Sequence, residues 1–180
     1  MAVEKWNVDT AHSGIHFVVR HMLISRVRGR FADWSGTLAV DDERPAASSV
    51  EVRVRAASID TEEPKRDAHL RSADFFDVER YPELVFRSTK VEVGGDRLRL
   101  TGDLTMHGVT RAITLEGERL GRGRDPWGGE RIGFTARTSL DRREYGLTWN
   151  QTLETGGVLV GDRVDIELEV EAVRTQAAAA

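Results

Sequence analysis

Apolar and polar residues exchange at every second position through most of this chain. The pattern is clearest in Val164-Asp165-Ile166-Glu167-Leu168-Glu169-Val170-Glu171, and it recurs in Val50-Glu51-Val52-Arg53-Val54-Arg55 and Leu98-Arg99-Leu100. A period of two sends alternate side chains to opposite faces of a β-strand, so each segment carries one apolar and one polar face. Strands are therefore expected near residues 4–9, 14–20, 27–40, 48–57, 83–93, 96–106, 110–119, 130–140 and 162–173. Gly94-Gly95 and His107-Gly108 lie between such runs and have the chemistry of tight hairpin turns, histidine being among the residues that tolerate positive φ. Gly121-Arg122-Gly123-Arg124-Asp125-Pro126 reads as a longer basic loop.

The period breaks between Asp60 and Ser72. Pro64 suits a first helical turn, and Asp60 with Glu63 three residues on resembles a capping box, leaving Ala68 and Leu70 to pack inward. A second short helix is expected over Arg142 to Leu147. Many strands in series with one or two short helices suggest a mainly β protein, a single antiparallel β-barrel occupying residues 1–174. Closure removes the edge strands that invite aggregation, and about eight strands leave room inside for side chains or one small ligand. Residues 175–180, rich in alanine, read as a frayed tail.

Composition narrows the function. The chain has 180 residues, enough for one domain to bury roughly 70% of its unfolded surface. It has no cysteine, which excludes disulfides, thiolate metal sites and cysteine catalysis. A net charge of −4 argues against a nucleic-acid partner and, for the chain as a whole, against an anionic-membrane surface. No apolar run approaches the ~18 residues of a membrane-spanning helix. The start, Met1-Ala2-Val3-Glu4-Lys5-Trp6, lacks a signal pattern, so a cytoplasmic protein is expected, or a periplasmic or secreted one if a signal has been removed.

Signatures of catalytic chemistry are sparse. His12 and His16 on one strand would stand about 13 Å apart at ~3.3 Å per residue, too far for one ion unless Ser13-Gly14 folds the chain back. His16 and His21 would face opposite ways. There is no HExxH and no Gly-x-Ser-x-Gly elbow; Ser13 and Ser35 precede glycines without the strand-to-helix setting of a nucleophile. Glu167, Glu169 and Glu171 fit a solvated strand face. Arg26, Arg28 and Arg30 alternate, and could either meet a phosphate or polar head group or form a solvated edge. The apolar faces hold many aromatic residues, Phe75 and Phe76 among them. Periodicity alone leaves the interior open between a packed core and a hollow one.

Several segments also resemble one family. Trp6-Asn7-Val8-Asp9-Thr10-Ala11-His12-Ser13, Phe17-Val18-Val19-Arg20-His21 and Val27-Arg28-Gly29-Arg30-Phe31 look like the opening of a YceI-like protein. So do His69-Leu70-Arg71-Ser72-Ala73-Asp74-Phe75-Phe76-Asp77, Tyr81-Pro82, Leu104-Thr105-Met106-His107-Gly108-Val109-Thr110, and Asp125-Pro126-Trp127-Gly128 before Ile132-Gly133-Phe134. The resemblance spans nearly the whole chain in order. It implies a lipocalin-like barrel whose apolar tunnel holds an isoprenoid lipid, such as a polyprenyl phosphate or an isoprenoid quinone. It transfers no catalytic residues, metal or required cofactor, and it makes a homodimer and transient membrane contact plausible.

On that reading the tunnel wall comprises Phe17, Val19, Phe31, Trp34, Leu38, Phe86, Leu100, Met106, Phe134, Trp149, Ile166 and Leu168. His21 and Arg28 would meet the head group. Burial of a CH₂ is worth ~0.8 kcal/mol, so each isoprene unit contributes up to about 3 kcal/mol. A few units reach micromolar affinity after ordering costs, with few polar contacts needed. The rivals are an enzyme acting on a hydrophobic substrate in the same cavity, through His21 or His107, and an interaction module with a filled core.

Overall fold

Eleven strands alternate along the chain in the computed structural model, which describes residues 3–154 and 156–175. They are β1 (Glu4–Val8), β2 (Gly14–His21), β3 (Ser25–Phe31), β4 (Trp34–Val40), β5 (Ser49–Arg55), β6 (Ile59–Asp60), β7 (Glu83–Gly94), β8 (Arg97–Met106), β9 (Val109–Arg124), β10 (Glu130–Asp141) and β11 (Val160–Arg174). One α-helix, α1 (Pro64–Arg71), sits between β6 and β7.

Every pairing is antiparallel, in the order β1-β4-β5-β7-β8-β9-β10-β11, and β11 returns to β1 through Trp6↔Arg174. The strands β2, β3 and β6 prolong β1, β4 and β5 beyond a bend, so the sheet is a closed barrel of eight staves. Neighbouring staves follow one another in sequence, which makes the barrel an up-and-down meander. At one end, the helix end, lie α1, the 22–24 and 107–108 turns, and the segment 142–159. At the other, the terminal end, lie the start of β1, the end of β11 and the turns 41–48, 95–96 and 125–129.

The bends explain why residues 27–40 are not one straight strand. At the corner Ala32 donates its N–H to the Ser58 carbonyl, and Asp33 accepts from Arg55 N–H, so the backbone leaves the β2 ladder and joins the β5 side. The first stave bends at Thr10–His12, where the Asp9 carboxylate accepts from the Ala11 N–H. The His107-Gly108 turn is as expected, with φ of 55° and 73° between paired Met106 and Val109. The β7–β8 turn shifts by one residue, to Gly95-Asp96.

Four other expectations are corrected. Gly121 to Arg124 is strand, not loop: β9 runs on to Arg124 because Glu130 to Gly133 pair with it, across a bulge between Gly133 and Phe134. The α1 cap is Glu63, whose side chain accepts from Lys65 N–H, while Asp60 belongs to β6 and accepts from Glu62 N–H. Ala68 is exposed, whereas Leu70 packs against the core as expected; the buried residue of α1 is Asp67, which accepts from the backbone and hydroxyl of Thr61. The second helix is a single 3₁₀ turn, Arg142–Tyr145. Of the expected tail, Thr175 donates its N–H to the Lys5 carbonyl, and 176–180 lie outside the described residues.

Inside–outside alternation holds along the staves. In β11, residues 163, 165, 167 and 169 are exposed while 164, 166, 168 and 170 are half-buried. Gly117 permits close approach of β9 and β10, since a Cβ there would strike the Thr135 carbonyl.

Candidate functional site

The inward faces do not meet at the barrel axis. They surround an apolar cavity of about 810 Å³ that runs from the helix end to the terminal end. Its wall includes Phe17, Val19, Phe31, Trp34, Leu38, Phe86, Leu100, Met106, Phe134, Trp149, Ile166 and Leu168. These come from β2, β3, β4, β7, β8, β10, β11 and the 146–159 segment, so widely separated parts of the chain supply the wall. A filled-core module is therefore excluded by geometry.

Buried side chains gather in three clusters, one of them, Phe86, Val91, Leu100 and Leu115, on β7, β8 and β9. Near the helix end Ile15, Phe31, Trp34, Val54, Ala56, Ile59, Leu84, Met106, Tyr145 and Leu147 form a buried cluster. Trp6, Leu38, Ile132 and Ala172 form another at the terminal end. The helix end is roofed by aromatic residues: the His69 ring packs edge-on to Phe75 (5.1 Å) and to Trp149 (4.6 Å), and its Nε2 lies 2.8 Å from the Asp74 carboxylate. All three rings line the cavity.

His21 lines the cavity at the helix-end rim. Arg28 does not: it is exposed on the outer face of β3, because Gly29 takes the inward position beside the Phe17 ring. The Arg26-Arg28-Arg30 alternation is thus an outer stripe, with Arg30 bonded to Asp60 at 3.2 Å. His107 lies outside the cavity, its Nδ1 2.9 Å from the Tyr145 carbonyl and its ring against Tyr81. His16 faces outward. Of the two histidines offered for catalysis, His21 therefore lines the cavity and His107 does not. Ser13 is engaged with the Glu171 backbone, donating to its carbonyl and accepting from its N–H.

Charged side chains close the terminal end. Arg122 bonds Asp42 (3.1 Å), Glu4 (3.0 Å) and Glu130 (3.0 Å), and its guanidinium lies 5.2 Å from the Trp6 ring centroid. The Trp6 indole N–H is buried without a protein acceptor among the described residues, a donor at the cavity wall that alternation could not reveal. Asp9, His12 and Glu171 converge with donor atoms within 4.8 Å of one another, but a cation is already there. Arg131 bonds Asp9 at 2.8 Å, Glu171 at 2.6 Å and Asp125 at 3.0 Å.

This Arg131 hydrogen bond, with that of His12, lowers the Asp9 carboxyl from 3.8 to about 2. A depressed carboxyl stabilises the fold fully above its unfolded value, and the contribution disappears as pH falls through the folded value. Between pH 4 and 2 the protein should therefore lose stability to protonation of Asp9, with Asp125, also lowered, adding to it. Arg131→Met should reduce the urea midpoint at pH 7 and flatten its fall between pH 4 and 2, as followed by circular dichroism. Parallel curves for the two proteins would disprove the assignment.

A closed antiparallel barrel around an apolar cavity defines a class: a barrel built to enclose an apolar molecule. The chain belongs to the YceI-like family, whose domain matches residues 6–172. Protein YceI of Escherichia coli O157:H7 is 39% identical over 170 residues, which cover 94% of this chain and 86% of that protein. Among solved structures, Burkholderia cenocepacia BcnA superposes with a TM-score of 0.80 at 23% identity, covering 91% of this chain and 98% of that one. A polyisoprenoid binding domain from Saccharophagus degradans, implicated in plant cell wall breakdown, superposes at a TM-score of 0.70 and 17% identity, covering 94% and 98%. No helix among the described residues is long and apolar enough to cross a membrane.

Proposed function

We propose that this protein binds an isoprenoid lipid, a polyprenyl phosphate or an isoprenoid quinone, in the barrel cavity and acts as a carrier, store or sequestering protein rather than an enzyme. The observation that carries this is the apolar cavity of about 810 Å³ lined by the inward faces of successive staves. That volume lies within the ~300–1,000 Å³ usual for ligand sites. Membership of the YceI-like family and the likeness to a polyisoprenoid binding domain support the same ligand class. Phe17, Phe86, Leu100, Phe134, Ile166 and Leu168 form the wall against which the chain packs, and His21 at the rim takes the head group. No cofactor is required, because apolar burial alone supplies the affinity.

Native mass spectrometry of gently purified protein should show an adduct that organic extraction releases. The emptied protein should take up an added polyprenyl phosphate or quinone with at least micromolar affinity. A bare mass together with no uptake of either lipid would overturn the proposal.

A further inference from the structure

The turn joining β2 to β3 is Met22-Leu23-Ile24, and it stands out into solvent at the helix end. Leu23 is 65% exposed and Ile24 83%, with Met22 and Val158 beside them at 37% and 36%. Met22 donates its N–H to the Leu159 carbonyl (2.8 Å), which fixes the tip against the 151–159 segment. Met22 and Leu23 adopt φ of 55° and 61°. Glycine, asparagine or aspartate is the ordinary choice for that backbone, so apolar side chains here run against local preference. Nothing in the barrel core uses them.

The tip is flanked by cations. Arg20 and Arg26 face each other across the β2–β3 ladder, and Arg28 follows on the same outer face, opposite Val18. Arg20 and Arg28 form no ion pair among the described residues, and Arg26 meets Asp165 only through space. By contrast Arg30, farther from the tip, is neutralised by Asp60. An apolar tip ringed by unpaired arginines matches the interface of a bilayer, where aliphatic side chains enter the acyl boundary and cations meet lipid phosphates. Arg20 and His21, which precede the tip, line the cavity rim.

We propose that Met22-Leu23-Ile24, with Arg20, Arg26 and Arg28, is a docking surface for an anionic membrane. It sets the helix-end rim against the bilayer. The purpose of the contact, lipid exchange, rests on the proposed cargo; the contact itself does not.

The chain has no cysteine, so Ile24→Cys can be labelled uniquely with an environment-sensitive nitrobenzoxadiazole dye. Trp127→Cys provides a reference, since Trp127 is 86% exposed at the opposite end. Vesicles of phosphatidylglycerol and phosphatidylcholine, free of isoprenoids, should brighten and blue-shift the dye at 24 and leave the dye at 127 unchanged. Phosphatidylcholine alone should act more weakly. Co-sedimentation of unlabelled protein should fall at least about tenfold in Leu23→Ser/Ile24→Ser, and by a similar factor in Arg20→Gln/Arg26→Gln/Arg28→Gln.

An unresponsive dye at 24, equal responses at both positions, or a patch-dependent dimer in sedimentation velocity without vesicle binding would overturn the proposal. Circular dichroism of the polar variants confirms that their loss is not unfolding. Vesicle binding with neither an isoprenoid adduct nor uptake of added isoprenoid would sink the cargo alone, and the reverse result would sink the docking surface alone.

Discussion

Replacement of Arg142 by methionine is expected to lower stability by about 3 kcal/mol. Its side chain is 5% exposed, and burial holds the guanidinium below the usual arginine range. It donates to the carbonyls of Gly161 (2.9 Å), Leu147 (2.7 Å) and Trp149 (2.9 Å), with Asp162 3.7 Å away. The Leu147 and Trp149 carbonyls belong to the segment between the 3₁₀ turn and β11, and that of Gly161 to the start of β11. Arg142 therefore ties down the strand of chain that carries Trp149 over the cavity. Methionine fills similar space but leaves the carbonyls without donors. For a chain of this length, Tm should fall by about 6–12 °C. Arg142→Lys should recover only part of this, because one ammonium cannot reach acceptors spread around a planar fork. A Tm within about 2 °C of the parent for Arg142→Met would show that the carbonyls find other donors.

The second large effect is expected from filling the cavity. Ala136 sits on β10 opposite Leu168 of β11 and lines the interior. Ala136→Trp should abolish uptake of added isoprenoid, or weaken it at least tenfold, which is about 1.4 kcal/mol. The fold should survive with an unchanged or higher Tm, since the new ring occupies empty space instead of displacing packed neighbours. Glu169→Gln, on the solvated face of the adjoining strand, should leave uptake unchanged. Full uptake in Ala136→Trp would mean that the lipid binds elsewhere, and a collapsed Tm would mean that the site is packed rather than open.

Much of this architecture is legible in the sequence because strand alternation is local. Each of Phe17, Leu38, Phe86 and Ile166 reveals its face through its immediate neighbours, and the structure places all of them on the cavity wall. The same reasoning misleads where pairing overrides local pattern. Gly121 to Arg124 carries no apolar alternation, yet it is strand, because Glu130 to Gly133 bond to it and acids satisfy Arg122. Arg28 looked equivalent to His21 as a polar group near the barrel mouth, but Gly29 turns it to the outside. Arg142 is invisible by any local rule, since a buried guanidinium is recognisable only through the carbonyls around it.

The family-like motifs make the same point. His69 to Phe75 and Trp149 join in one aromatic roof, and Tyr81 meets His107, although wide stretches of chain separate them. Alternation and turn chemistry by themselves determined that this protein is built of strands, which side chains face inward, and that the chain would close on itself. Only the tertiary structure decided that the closed interior is hollow. Whether the staves leave a space is a sum over the side-chain volumes of all eight and their stagger, a quantity that no single strand contains.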